Sequence, residues 1–286
     1  MKTTSATPEQ QDKLYAGLQS LLGPVVGGAI KEIAAVADFE LSSEASRPFV
    51  EFIKWTNTRP AFIARWRADP VAENRDYPRF MTVADGARSA YAAACYHLGR
   101  LKEIEASINN VLSRYDFTNQ FTPNSFAIIG RMRQLDFEYH AFVLAYRRCL
   151  DYLAWGLSAY FNQRQNSYRK LAKTLISAHP IAVAQALKRV YDCHSKKFEF
   201  VMGDERGKSI RDRIGHSEFV QAANINVGAN GHRFVGGGEK LRFADPTDER
   251  ALSEILKGRT LDLHECISDF LDSFRSAVVE YETINP

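Results

Sequence analysis

RQLDFEYHAFVLAYRRCLDYLAWGLSAYF, residues 133–161, decides how the rest of this chain reads. Leu135, Tyr139, Phe142, Tyr146, Leu150, Leu153 and Leu157 recur at intervals of three and four, which puts them on one face of an α-helix. Arg147 and Asp151 are spaced for an i,i+4 ion pair on the same helix, whose start is expected at about Ser125 or at Arg133. The apolar part, Ala141 to Phe161, contains Arg147, Arg148 and Asp151, too many charges to cross a bilayer at low cost. A core helix is expected, and no membrane association.

The same period recurs on both sides. Ala84 to about Tyr115 carries Ala87, Tyr91, Ala94, Leu98, Leu101, Ile104, Ile108, Val111 and Leu112. A third long helix is expected from Pro180 to Phe198, with Val183, Leu187, Val190, Tyr191 and Phe198 as its stripe. A shorter one spans Tyr168 to Ala178. The last begins at Asp245-Pro246-Thr247-Asp248 and runs to about Tyr281, with Gly258 as a possible interruption. At the other end, Thr7-Pro8-Glu9-Gln10 is a helix start with its capping residues, and Gly23-Pro24 is the stop. Val25 to Phe39 then suggests a second helix after a turn at Gly27-Gly28.

Two stretches break the pattern. Residues 41–80 are cut by Pro48, Pro60, Pro70 and Pro78, and Phe49–Trp55 fits a strand or a short helix. Arg59, Arg65, Arg67, Arg75 and Arg79 are interleaved there with aromatics; a surface over packed tryptophans is expected ahead of a nucleic-acid contact. After Glu218, Asn224–Val227, the turn Gly228–Gly231 and His232–Val235 read as a β-hairpin, with a further strand possible at Glu239–Phe243. The Gly236–Gly238 triplet lacks a strand-to-helix context for nucleotide binding and suggests a flap. The expected architecture is mainly α: an up-and-down helical bundle over residues 81–286, a small β-hairpin near 219–243, and a helical or irregular extension over 1–80.

Composition narrows the function. A length of 286 residues, 45% hydrophobic content and 25% charge are ordinary for a globular chain with a large core. A net charge of +3 requires any basic footprint to be local. Cys95, Cys149, Cys193 and Cys266 form no C-x-x-C pair and suit a reducing, cytoplasmic setting; the start is polar through Lys13, so no signal peptide is expected. H-x-x-x-H, H-E-x-x-H and G-x-S-x-G are absent, and neither a metal nor an organic cofactor is expected. Glu138, Tyr139 and His140 are within reach of a pocket in principle, but Tyr139 belongs to the apolar stripe.

The chemistry is expected in Lys208-Ser209-Ile210-Arg211-Asp212-Arg213-Ile214-Gly215-His216. R-x4-H spacing occurs three times, at Arg189/His194, Arg211/His216 and Arg259/His264, but only Arg211 is followed by an acid. Gly215, beside His216, costs about 1 kcal/mol of helix propensity relative to alanine. Arg211-Asp212-x3-His216 resembles the R-[N/D]-x3-H signature of the HEPN superfamily, helical bundles that often act as metal-independent ribonucleases.

That resemblance implies endoribonuclease action, commonly in toxin–antitoxin or phage-defence settings. It also implies a homodimer, with RNA and a regulatory antitoxin as partners. The chemistry is consistent with it. RNA carries its own nucleophile, the 2′-hydroxyl, so the enzyme supplies a proton acceptor or donor and a cation for the phosphorane charge. His216 suits the first role, Arg211 the second, and Asp212 would orient either. Lys208, Ser209, Arg213 and Arg206 are the expected RNA contacts. The alternative is a non-catalytic nucleotide- or protein-binding module, a role that some family members have. The chain is larger than a minimal bundle of that family, through the region before Thr82 and the hairpin.

Overall fold

The computed structural model describes residues 16–17, 20–21, 23–37, 39–58, 61–68, 76–117, 119–122, 125–130, 132–203, 209–216, 219–229, 231–235 and 251–285. Two 28-residue helices packed along one another, α5 (Asp85–Leu112) and α6 (Arg133–Tyr160), form its axis. Before them come α1 (Pro24–Ala37), α2 (Ser43–Thr58), α3 (Ala61–Ala68) and α4 (Tyr77–Met81). After them come α7 (Tyr168–Ser177), α8 (Ile181–His194), a 3₁₀ turn (Ser195–Phe198), α9 (Glu199–Met202), α10 (Ile210–His216) and α11 (Leu252–Ile284). The protein is mainly helical with one small antiparallel sheet. Among the described residues no helix is long and apolar enough to cross a membrane.

The stripe read from residues 133–161 is the core. Leu135, Tyr139, Phe142, Tyr146, Leu150, Leu153 and Leu157 are all fully buried. α11 lies against α8, α2 and α5, and its Phe274 sits among Phe52, Trp55, Phe80 and Tyr160 with ring centroids 4.9–6.1 Å away. Through this cluster Phe49, Phe52, Ile63, Trp66 and Phe80 share the hydrophobic core of the long helices. Phe49–Trp55 is helical, inside α2, with Phe49 and Phe52 turned inward. Arg79, one of the arginines set among aromatics, reaches the end of α6. It donates to the Trp155 carbonyl at 3.2 Å, to Ser158 Oγ at 2.6 Å and to the Gln163 carbonyl.

The helix expected over Pro180–Phe198 ends earlier. α8 stops at His194 and the chain tightens into the 3₁₀ turn. α11, in contrast, runs through Gly258 without a break. Gly258 is exposed and a Cβ there would touch nothing within 4 Å. Gly258→Ala should therefore stabilise the fold by about 1 kcal/mol and raise the melting temperature by about 2–3 °C. A thermal melt that is unchanged or lower would count against an intact helix at this point.

The sheet corrects one expectation. The hairpin forms as read, from β2 (Asn224–Gly228) and β3 (Gly231–Val235), with Gly228 opposite Gly231 and Gly231 at φ +102°. A third strand, β1 (Phe126–Ile129), pairs antiparallel with β2, Phe126 opposite Gly228 and Ile129 opposite Ile225. The start of the long helix at Ser125 is thus excluded; these four residues are extended. Phe-Ala-Ile-Ile is too short for its period to distinguish helix from strand, and its partner lies about a hundred residues away. The cap at Thr7–Gln10, the glycine triplet 236–238, the strand expected at 239–243 and the helix start at 245–248 lie outside the described residues.

Candidate functional site

α10 is held by its own first turn. Ser209 precedes it, and its hydroxyl accepts from the Asp212 backbone N–H at 3.0 Å while donating to the Asp212 carboxylate at 2.8 Å. The bond from the Asp212 N–H makes Ser209 the N-cap of α10, and the Asp212 carboxylate in turn holds the capping hydroxyl. Ile210, buried, pins the helix inward, and α10 rests on α6. Asp212 also accepts from Arg211 Nη1 at 3.0 Å. Burial acts to raise the Asp212 pKa, but the Ser209 hydroxyl, the Arg211 guanidinium and the field of Arg147 outweigh it and hold the carboxyl below its usual value. The acid is a carboxylate at neutral pH, and it steers Arg211.

Arg211 faces a groove of about 450 Å³ lined also by Leu144, Arg147, Arg148, Asp151, Tyr152, Trp155 and Asn166. Six of these come from α6 at positions i, i+3, i+4, i+7, i+8 and i+11, the face opposite to the core stripe. Three guanidiniums therefore meet in one concavity. Arg147 is braced: it donates to Asp151 at 2.9 Å, to Ser167 Oγ at 2.9 Å and to the Val201 carbonyl at 3.3 Å. Arg148 donates to the Tyr152 hydroxyl at 2.8 and 3.1 Å and lies 5.0 Å from that ring. Asp151 is engaged by Arg147 and by the Tyr168 backbone N–H at 2.9 Å. Planar, permanently charged forks around a cleft of this size suit phosphate oxygens.

Of the residues expected from the sequence, Arg211 lines this groove and Asp212 is bonded to it. Ser209, expected among the RNA contacts, is buried, and its hydroxyl is engaged in the cap of α10. Arg213 is half-buried. His216 ends α10, and its side chain lies outside the described residues, as do Lys208 and Arg206. On an ideal helix His216 is rotated about 140° from Arg211. Gly215 is exposed, and a Cβ there would meet nothing within 4 Å, so packing does not require the glycine.

The other histidines have separate tasks. His194, 3% exposed, lies 2.7 Å from Asp269; His264 packs by Tyr91 with ring centroids 5.8 Å apart, and burial lowers its pKa. Glu138 pairs with His97 at 2.7 Å, and Tyr139 is buried. His140 Nε2 donates to the Val220 carbonyl at 2.6 Å, Asp136 accepts from Ala222 N–H at 2.7 Å, and Gln221 donates to the Gly130 carbonyl at 3.0 Å. These three bonds tie residues 219–223, the strap between α10 and the sheet, to the first turns of α6 and to Gly130 just before it. Burial raises the Asp136 pKa, against the bond from Ala222 and the nearness of His140.

Sequence reading missed Arg148, Tyr152, Trp155 and Asn166, and assigned Arg147 to an ion pair alone. The available signal was the Arg147-Arg148 pair inside an apolar run, since two adjacent arginines cannot both turn toward a core. Among the described residues no three His, Cys, Asp or Glu side chains are grouped to hold a metal. No family model matches the chain, and no curated protein or solved structure is similar to it.

Proposed function

We propose that the protein is a metal-independent endoribonuclease of HEPN type, with the groove between α6 and α10 as its phosphate cradle. The observation that carries this reading is the meeting of Arg211, steered by Asp212, with Arg147 and Arg148 in one cleft, on the short helix that ends in His216. RNA bound there presents its 2′-hydroxyl to the adjacent phosphorus. The 2′-oxygen bonds to phosphorus, the 5′-oxygen leaves, and a 2′,3′-cyclic phosphate remains. His216 takes the 2′-proton or supplies one to the leaving oxygen, and Arg211 neutralises the charge that builds on the equatorial oxygens. Because Arg211 and His216 are about 140° apart on α10, two copies facing across a twofold axis would complete each site. The resemblance suggests a toxin or phage-defence effector, controlled by a protein antitoxin in the first case.

Purified protein should cut single-stranded RNA in the presence of EDTA, leave 2′,3′-cyclic phosphate ends and spare DNA of the same sequence, which lacks the nucleophile. Cutting that stops on chelation, or ends bearing a 3′-hydroxyl, would refute this chemistry. One observation favours a second reading, the non-catalytic binding module: Asp151 in the groove, and Asp212 beside Arg211, are both engaged in holding arginines. A protein that binds RNA or nucleotide in the groove and never cuts it would establish that module instead.

A further inference from the structure

We infer that the groove continues into a phosphate track along α7, so that the site takes an extended single-stranded RNA; this rests on the reading of the groove as an RNA site. Between Asp151 and Asp192 the chain has no Asp or Glu, yet it carries Arg164, Arg169, Lys170, Lys173, Lys188 and Arg189. The chain's average acid content would put about five carboxylates in those forty residues. The stretch that follows the groove wall thus brings cations and no carboxylate of its own.

The α7 side chains are oriented for this. Tyr168, Leu171 and Leu175 face inward and are buried, whereas Arg169, Lys170 and Lys173 are exposed. Arg164 is exposed as well, and among the described residues none of these four is in an ion pair. The start of α7 is fixed to the groove: Asn166 lines it, Ser167 accepts from Arg147, and the Tyr168 N–H donates to Asp151. Tyr168, the first residue of α7, is held on its other side by Tyr191, which stacks on it at 5.0 Å. From that anchor the three cations, Arg169 to Lys173, follow one another over about 6 Å of the first turns of α7.

The groove end supplies stacking. Trp155 lines the groove with 37% of its surface exposed, and its ring lies 6.1 Å from that of Tyr152 at 32° between planes. Arg148 covers Tyr152. Aromatic faces beside arginines, followed by a row of free cations, are what unpaired bases and their phosphates require; a duplex hides the base faces. Among the described residues, Asp151, Asp212 and Asp192 are each held by a cation, respectively Arg147, Arg211 and Lys188.

The test measures fluorescence anisotropy of labelled uridine 4-mers, uridine 20-mers and a 20-base-pair RNA duplex, on a His216→Ala background so that nothing is cut. Changing Arg169, Lys170 and Lys173 together to Ala should weaken 20-mer binding about tenfold or more. It should also lower the slope of log affinity against log salt by about 2, for three lost contacts on a single strand. The preference for 20-mer over 4-mer should shrink accordingly. Trp155→Ala should weaken both single-stranded probes at least about fivefold. Exposed Lys102 and Lys257, on α5 and α11, provide the control: Lys102→Ala/Lys257→Ala should bind as the parent does. If the α7 variant matches this control in affinity and salt slope, or the duplex binds as tightly as the 20-mer, the track is overturned. Binding that follows α7 in a wild-type protein that never cuts would keep the track and remove the nuclease reading. Cutting in a protein whose 20-mer binding ignores α7 would do the reverse.

Discussion

His216→Ala is expected to slow RNA cleavage by about 10²–10⁴, or about 3–5 kcal/mol of transition-state stabilisation, the usual worth of a general acid or base. Arg211→Ala should lose a comparable factor, since the phosphorane charge would then meet Arg147 and Arg148, which are already engaged with Asp151 and Tyr152. Neither change should unfold the protein: Arg211 is 41% exposed, and the cap of α10 is made by Ser209 and Asp212. The two inactive proteins also test the shared site. If each site takes its arginine from one copy and its histidine from the other, mixing them in equal amounts restores one site in half of the dimers, about a quarter of wild-type activity. No recovery in a mixture shown to exchange subunits would confine each site to a single copy. His194→Ala and His264→Ala are the controls, because neither ring is placed at the groove; both should cost stability and leave cleavage of folded protein unchanged. If all four variants cut alike, cleavage does not belong to α10.

The second large effect is structural. Gly156→Ala should cost about 3 kcal/mol or more, at the upper end for overpacking, read as a lower urea midpoint without a change in slope. A Cβ on Gly156 would stand 2.3 Å from Val83 Cγ2, 2.8 Å from Val83 N and 2.9 Å from the Phe80 carbonyl oxygen. Two of those atoms are backbone, so the turn after α4 would have to leave α6. That turn holds Phe80 among Trp66, Phe52 and Phe274, and Arg79 on Trp155 and Ser158. Val83→Ala on the same chain should restore only part of the loss, because the backbone contacts stay. Gly215→Ala, by contrast, meets open space and should leave the urea midpoint unchanged or higher. Equal stability of Gly156→Ala and wild type would mean that this close approach is not needed.

The long helices were legible because their information is local. Leu135 to Leu157 repeats every three or four residues, and that period alone places seven side chains on one face, all of them buried in the fold. The hairpin was legible for a similar reason: its turn and both strands lie within twelve residues, Asn224 to Val235. The distinction among the three R-x4-H pairs rested on one neighbouring residue, Asp212; in the fold His194 lies by Asp269 and His264 by Tyr91.

Other features depend on partners far along the chain. Phe126–Ile129 is a strand because β2 reaches it from a hundred residues later, and nothing within the four residues chooses that over a helix turn. Pro48 and its neighbours left α2 undecided until Phe274 and Tyr91 supplied the surface that Phe52 and Phe49 bury against. The candidate site is the clearest case. Arg147 and Arg148 looked like ordinary helix charges, and Arg211 lies more than sixty residues away. What the sequence determined by itself was periodicity and turns. The packing of α10 on α6 was decided only by tertiary structure, because the capping of Ser209 and Asp212 and the burial of Ile210 aim Arg211 at a helix face that no local pattern could select.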